Sequence, residues 1–280
     1  MTAPLFVPRA VPGDLAPFVQ ALWYLHAPPQ RRFEKILPSP RAHLIVNLSD
    51  PYRQLARGAM ATGVKLAGPF FAGVQTQYLV NENPIELRML VAQFTADGVG
   101  IFARAQPGDL VDAVLPAEPL VPGVDALAAR GRRSDDVEGL LDDLVGLLRA
   151  ARHRPDPDAA VTRVRVGLES DRPASIGGLE AAEGLTPRAL SARFSRACGV
   201  TPKRFADVAR VDALLTSLAS RDPLPGWGEL VAEYGYYDQP HITRAFTRFA
   251  GSPPARFLHD LREFGLEYAT FVPLDHPAHG

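Results

Sequence analysis

Residues 235–254 read Gly235-Tyr-Tyr-Asp-Gln-Pro-His-Ile-Thr-Arg-Ala-Phe-Thr-Arg-Phe-Ala-Gly251-Ser-Pro-Pro254. A turn, a capping Asp238, an apolar stripe on Ile242, Phe246 and Phe249, and a glycine–proline stop spell one short helix. The pattern occurs twice. Phe194, Arg196, Gly199, Pro202, Arg204 and Phe205 recur 52 positions later as Phe246, Arg248, Gly251, Pro254, Arg256 and Phe257. Leu190 pairs with Ile242 at the same offset, and Leu179 with Leu230 at one less. Two copies are too few for a solenoid, so two similar helical units are expected.

Each unit has the grammar of a helix-turn-helix. In the first, Ile176, Leu179 and Ala182 form an apolar face and Gly184-Leu185 permits a tight turn. Thr186 then caps a second helix with Pro187 at its first position. Leu190 and Phe194 face inward, which turns Arg188, Ser191, Ala192 and Ser195 outward, with Arg196 on the same basic helix. In the second unit Trp227 and Leu230 precede Gly235-Tyr236. Gln239 and His241 then start the reading helix, and Pro240, Thr243, Arg244 and Thr247 face out, with Arg248 one turn beyond Arg244.

Charge agrees with a nucleic-acid surface. Residues 187–206 hold five basic groups, Arg188, Arg193, Arg196, Lys203 and Arg204, and no acid. Residues 239–258 hold Arg244, Arg248 and Arg256 and again no acid. The whole chain is near neutral, with 30 Lys and Arg against 31 Asp and Glu, so positive charge is concentrated where phosphate contacts need it.

These motifs resemble the AraC-type transcription regulators, over about residues 160–260. The carrying residues are Thr186, Leu190, Phe194 and Gly199-Val-Thr-Pro202, then the 235–254 stretch, with Phe205 to Leu218 and its Arg210 as the linking helix. The resemblance implies a double helix-turn-helix whose DNA-binding residues are Arg188, Ser191, Ala192, Arg196, Gln239, Pro240, His241, Thr243, Arg244 and Arg248. It implies double-stranded DNA and RNA polymerase as partners, with a small-molecule effector and a homodimer as further expectations, in the bacterial cytoplasm. Two positions depart from the family: Glu180 and Val231 stand where a small alanine is usual.

The fold class expected is α+β. Residues 1–125 show short apolar runs, Phe18–Leu25, Leu44–Leu48, Gln77–Val80 and Leu87–Phe94, between breakers such as Pro38, Pro51, Gly68-Pro69 and Pro84. They read as a β-rich barrel or sandwich of cupin-like form, with a short helix near Leu15–Tyr24 and an open reading for Ile101–Leu115. Val19–Trp23, Leu37-Pro38, Leu44–Leu48 and Ala67-Gly68-Pro69 more loosely resemble an N-terminal domain found in some of these regulators.

Residues 134–153 predict an amphipathic helix, capped by Ser134, with a stripe on Val137, Leu140, Leu141, Leu144, Leu147 and Leu148. That stripe packs either on its own domain or as a dimer seam. Residues 154–159 read as a linker, 160–262 as the DNA-binding domain, with no strand pattern from Ala159 on, and 263–280 as a tail where disorder is the default.

Enzyme readings find no footing. Cys198 is the single cysteine, which excludes a disulfide framework or cysteine-rich metal site. The β-rich half offers only His26 and His43, without a His-x-His pair, so neither a metal nor a cofactor is expected. No nucleophile elbow, phosphate loop or dinucleotide fingerprint is present. No apolar run approaches the roughly 20 residues of a membrane span, and none of the N-terminus reads as a secretory signal. The alternative to a DNA-binding regulator is a protein-binding adaptor that keeps a helix-turn-helix without using it on DNA.

Overall fold

A computed structural model describes residues 4–29, 32–56, 59–170, 173–218, 226–234, 238–264 and 271–274. The first part runs β1 (Leu5–Arg9), β2 (Val19–Ala27), β3 (Phe33–Ile36), β4 (Ala42–Asn47), β5 (Tyr52–Ala56), β6 (Ala59–Leu66), β7 (Phe70–Ala72), β8 (Leu79–Glu82) and β9 (Leu87–Phe94). After β9 come α1 (Val99–Phe102), a 3₁₀ turn at Pro107–Leu110, β10 (Val114–Pro116), α2 (Val124–Gly131) and α3 (Val137–Ala151). Seven helices follow among the described residues: α4 (Ala159–Glu169), α5 (Ile176–Glu183), α6 (Pro187–Cys198), α7 (Pro202–Leu218), α8 (Trp227–Glu233), α9 (Gln239–Ala250) and α10 (Pro254–Phe264). A last strand, β11 (Phe271–Leu274), ends the described chain.

The strands form two antiparallel sheets, a six-stranded one in the order β1-β2-β9-β4-β7-β10 and a five-stranded one in the order β11-β3-β8-β5-β6. Period-two alternation assigns each face of the first sheet. Leu22 and Tyr24 of β2, Leu44 and Val46 of β4, and Leu90, Ala92 and Phe94 of β9 point one way, into a core shared with α1, α2 and α3. Their neighbours Trp23, Leu25, His43, Ile45, Met89 and Val91 point the other way, into a cavity between the sheets.

Asp136, rather than Ser134, caps α3: the Gly139 N–H donates to its Oδ1 at 3.0 Å. Ser134 instead accepts from the Asp136 N–H. Leu140, Leu141, Leu144 and Leu148 are fully buried against the first sheet. Each such burial contributes about 1.5–3 kcal/mol. The dimer-seam reading of this stripe is therefore corrected: its leucines are already spent inside their own chain. Two other expectations also change. Leu15–Phe18 form turns leading into β2 instead of a helix, because from Val19 on the chain pairs with β9, and from Leu22 on also with β1, with one bulge between Val19 and Ala21. The tail also contains a strand after all, β11, paired antiparallel with β3 so that Phe271 faces Ile36 and Leu274 faces Phe33. Its Pro273 is tolerated because the strand lies at the sheet edge.

The β-rich half has its own core, but neither helical unit has one separate from it. Leu37, Leu55 and Val80 of the β-rich half are buried with Leu214, Ile242, Phe246 and Phe257 of the second helical unit. Val74 and Ala96 are buried with Val161, Leu190, Phe194 and Phe205 of the first. Arg165 of α4, 5% exposed, pairs with the buried Asp97 at 2.7 Å and with Glu169 at 2.5 Å, and the Thr162 hydroxyl donates to Asp97. Leu144→Ala should cost about 2–5 kcal/mol in denaturant unfolding. Its sedimentation behaviour should match that of the parent chain, whereas a dimer seam would show as dissociation without loss of stability.

Candidate nucleic-acid interface

The repeat in sequence is a repeat in space. Thr186 accepts from the Ala189 N–H at 3.2 Å to start α6, and Asp238 accepts from the His241 N–H at 2.7 Å to start α9. Phe194 meets Phe205 edge-on at 5.3 Å between ring centroids, and Phe246 meets Phe257 the same way at 5.0 Å, both at 66°. Both helices end on left-handed glycines, Gly199 at φ 78° and Gly251 at φ 73°, a conformation that a Cβ would strain. The turn at 235–237 lies outside the described residues.

Burying Leu190, Phe194 and Cys198 of α6 and Ile242, Phe246 and Phe249 of α9 presents the opposite faces to solvent. Arg188, Ala192 and Arg196 are exposed on α6, and Ser191 is half-buried. Gln239, Pro240, Arg244 and Arg248 are exposed on α9, with His241 and Thr243 half-buried. Arg193 is partly occupied, pairing with Asp158 at 3.2 Å. Arg244, Arg248 and Arg210 share a groove between α9 and α7 with Asp207. The first unit is the looser: α5 has no buried residue, its Ala182 is exposed, and its Ile176 and Leu179 are only half-buried against the unit's core, Leu179 lying close to Gly167 of α4. Glu180 and Val231 are both half-buried, so neither departure forces a charge into a core. Burial pushes the Cys198 thiol up, which suits a packing role and not a nucleophile. Among the described residues, no group of three His, Cys, Asp or Glu is placed to hold a metal.

Both units are fastened to the β-rich half at equivalent points. Gly199 approaches the Pro107 carbonyl so closely that an added Cβ would sit 2.5 Å from it, and Gly251 lies against the Tyr78 ring. Between these points runs the loop from β7 to β8. Its Val74 enters the first unit's core, and Tyr78 packs on the second. Thr76 between them accepts from Arg204 at 2.9 Å and donates to Asp112 at 2.6 Å. Asp112 is held at φ 54° by that grip. Two cations complete the fastening. Lys35 donates to the Ala250 carbonyl at 3.1 Å. Arg41 pairs at 2.5 Å with Asp212 on α7, the helix that joins the units. Burial pushes the Asp212 carboxyl up despite the opposed Arg41.

Behind this interface lies the cavity, ≈ 250 Å³. Its walls come from both sheets. The pleat of β3 sends Glu34 and Ile36 into it, while Phe33 and Lys35 on the other face meet the second helical unit. One sheet thickness therefore separates the cavity from α9. These residues escaped the sequence reading. The alternation within Phe33–Ile36 was visible, but which neighbour covers each face is a long-range fact.

Residues 179–260 match the family model for a helix-turn-helix domain, and residues 10–116 match a domain of unknown function, DUF6597. No curated protein matches the chain. Among solved structures, ToxT from Vibrio cholerae is similar with a TM-score of 0.50 at 8% identity, over 85% of this chain and 98% of that one. ToxT with a bound unsaturated fatty acid gives 0.47 at 8%, over 87% and 97%. The AraC-like transcriptional activator CuxR gives 0.29 at 14%, over 78% and 96%. The fold is thus that of a two-domain, ToxT-like protein with an antiparallel β domain followed by helix-turn-helix units. The C-terminal domain is a helix-turn-helix domain of the AraC type.

Asp212→Asn should loosen the fastening by leaving the Arg41 charge without its partner. Tryptic cleavage after Arg152, in the segment between α3 and α4, should accelerate several-fold. An unchanged cleavage rate would mean that the pair holds nothing in place.

Proposed function

We propose that this chain is a sequence-specific DNA-binding transcriptional regulator whose α6 and α9 enter successive major grooves, with the cavity between its sheets receiving a small-molecule effector. The helix-turn-helix domain supports the regulator class. The observation that carries the DNA reading is the duplicated, capped helix with an exposed basic face, Arg188 and Arg196 on α6 and Arg244 and Arg248 on α9. Arginine presented from the N-terminal part of such a helix reaches guanine O6 and N7 in a bidentate pair. Arg196 and Arg248, a turn or two further on, suit phosphates.

The linking helix α7 spans 17 residues, about 25 Å at 1.5 Å per residue. With the width of the flanking helices, that separation suits two reading helices about one DNA turn, or 34 Å, apart. One chain then recognises an asymmetric site with two short blocks. Effector control follows from the shared wall: a molecule that shifts β3 or β8 shifts the surface on which α7, α9 and α10 pack. RNA polymerase contact and dimer formation belong to this reading only as partners of a regulator bound at a promoter.

Selection from random duplexes with the full chain, followed by footprinting, tests the proposal. Two protected blocks about 10 base pairs apart are expected. Affinity should fall steeply with salt as counterions are released, whereas an adaptor that does not use DNA would bind no duplex. Arg244→Ala should weaken binding and lose about 1–3 kcal/mol of discrimination at one or two base pairs. Arg188→Ala should do the same in the other block. A short palindromic site, or an unchanged preference in folded Arg244→Ala, would refute tandem reading.

A further inference from the structure

Inside the cavity the walls are apolar and aromatic, with Trp23, Phe70, Met89 and Val91 from one sheet. Facing them from the other sheet is a carboxylate, Glu34, whose hydrogen-bond partner is the neutral amide of Asn83. No basic group forms an ion pair with Glu34 among the described residues. A carboxylate on an apolar wall without a counterion is unfavourable in its charged form. A strand of this kind has no need of it for folding.

The other polar groups at the cavity do not supply the missing charge. Arg41 lines the cavity, but its Nη1 is engaged with Asp212 at 2.5 Å and its Nε with Gln20 at 2.6 Å. Burial, with Arg41 nearby, holds His43 down to about 4, so this ring is neutral at physiological pH, and it shares a 3.0 Å hydrogen bond with Gln93. Burial and the Glu34 charge push the Tyr52 hydroxyl up, and it turns to the Met89 sulfur. Glu34 is thus the one ionisable group of the cavity whose charge is uncommitted among the described residues.

We infer that the cavity takes a small aromatic or alkyl molecule bearing a protonated amine, with Glu34 as its counterion; this rests on the effector reading above. The ligand ammonium completes the ion pair that the protein leaves open. The aromatic walls add cation–π attraction to the burial of the ligand's apolar body. A carboxylate ligand of the same shape would meet Glu34 as a like charge. At ≈ 250 Å³ the site lies just under the roughly 300–1,000 Å³ usual for drug-sized ligands, which points to a molecule with a single ring or short chain.

Burial raises the Glu34 carboxyl, and this gives the pH dependence its sign. The ammonium binds the ionised form, so its affinity falls as pH drops through that raised value and Glu34 takes up a proton. Across the same range His43 stays neutral until about 4, and Tyr52, its hydroxyl pushed up by burial, stays protonated.

Calorimetric titration of the full chain with 2-phenylethylamine, 2-phenylethanol and 3-phenylpropanoate near neutral pH tests the inference. The amine should bind about tenfold more tightly than the alcohol, and the acid most weakly. Glu34→Gln should bring the amine down to the affinity of the alcohol while leaving the alcohol unchanged, and should remove the loss of affinity on acidification. An amine no tighter than the alcohol, an amine preference that survives Glu34→Gln, or a preference for the acid would overturn the cationic class while leaving an effector cavity in place. Binding of none of the three would overturn both.

Discussion

The pleat of a four-residue strand holds this molecule together. Along β3, Phe33 and Lys35 face the second helical unit, and Glu34 and Ile36 face the cavity. Because successive side chains of a strand alternate, one sheet can serve as the outer wall of a cavity and as the floor of a helical domain. The core of the second unit is built on that floor, with Val80 of β8 and Leu55 of β5 buried among Phe246, Phe249 and Phe257. β11 adds to the same sheet, so the edge of the floor beside β3 is covered by the segment that follows the helical units.

The consequence is a protein in which neither half is a passive attachment. A flexible linker would let the helical units move independently of the β domain. Here the segment between α3 and α4 is tied back: the His153 N–H donates to the Ile101 carbonyl, and Arg152 stacks on Phe18. The buried Asp97–Arg165 pair then fixes the start of the helical half. Buried pairs of this kind add little net stability but are costly to break, so they favour one arrangement over others. The loop holding Val74, Thr76 and Tyr78 touches both units and sets their spacing from outside.

The sequence disclosed the helical units well because their signals are local. Thr186, Pro187, Gly199, Asp238 and Gly251 each act within a few residues, and the 52-residue repeat read each signal twice. It disclosed the β half only as a class, since strands are partnered at long range and alternation does not say which face meets what. The leucine stripe on α3 shows the same limit: its periodicity required a partner surface, and only the fold identified that surface as Leu44, Leu90 and Phe94 instead of a second chain. The cavity was illegible for the same reason, because Glu34 became informative only beside Trp23 and Phe70. β11 was missed because four residues with a proline carry almost no strand signal until an edge is there to receive them.

Amide hydrogen exchange of Val80→Ala tests this account most directly. Val80 lies in the β domain, yet its side chain is buried in the core of the second helical unit. If the sheet is the floor of that unit, the substitution should lower protection throughout α9 and α10 as well as in β8. Loss of protection confined to the strands, with α9 and α10 exchanging as in the parent chain, would contradict a shared core and the coupling built on it.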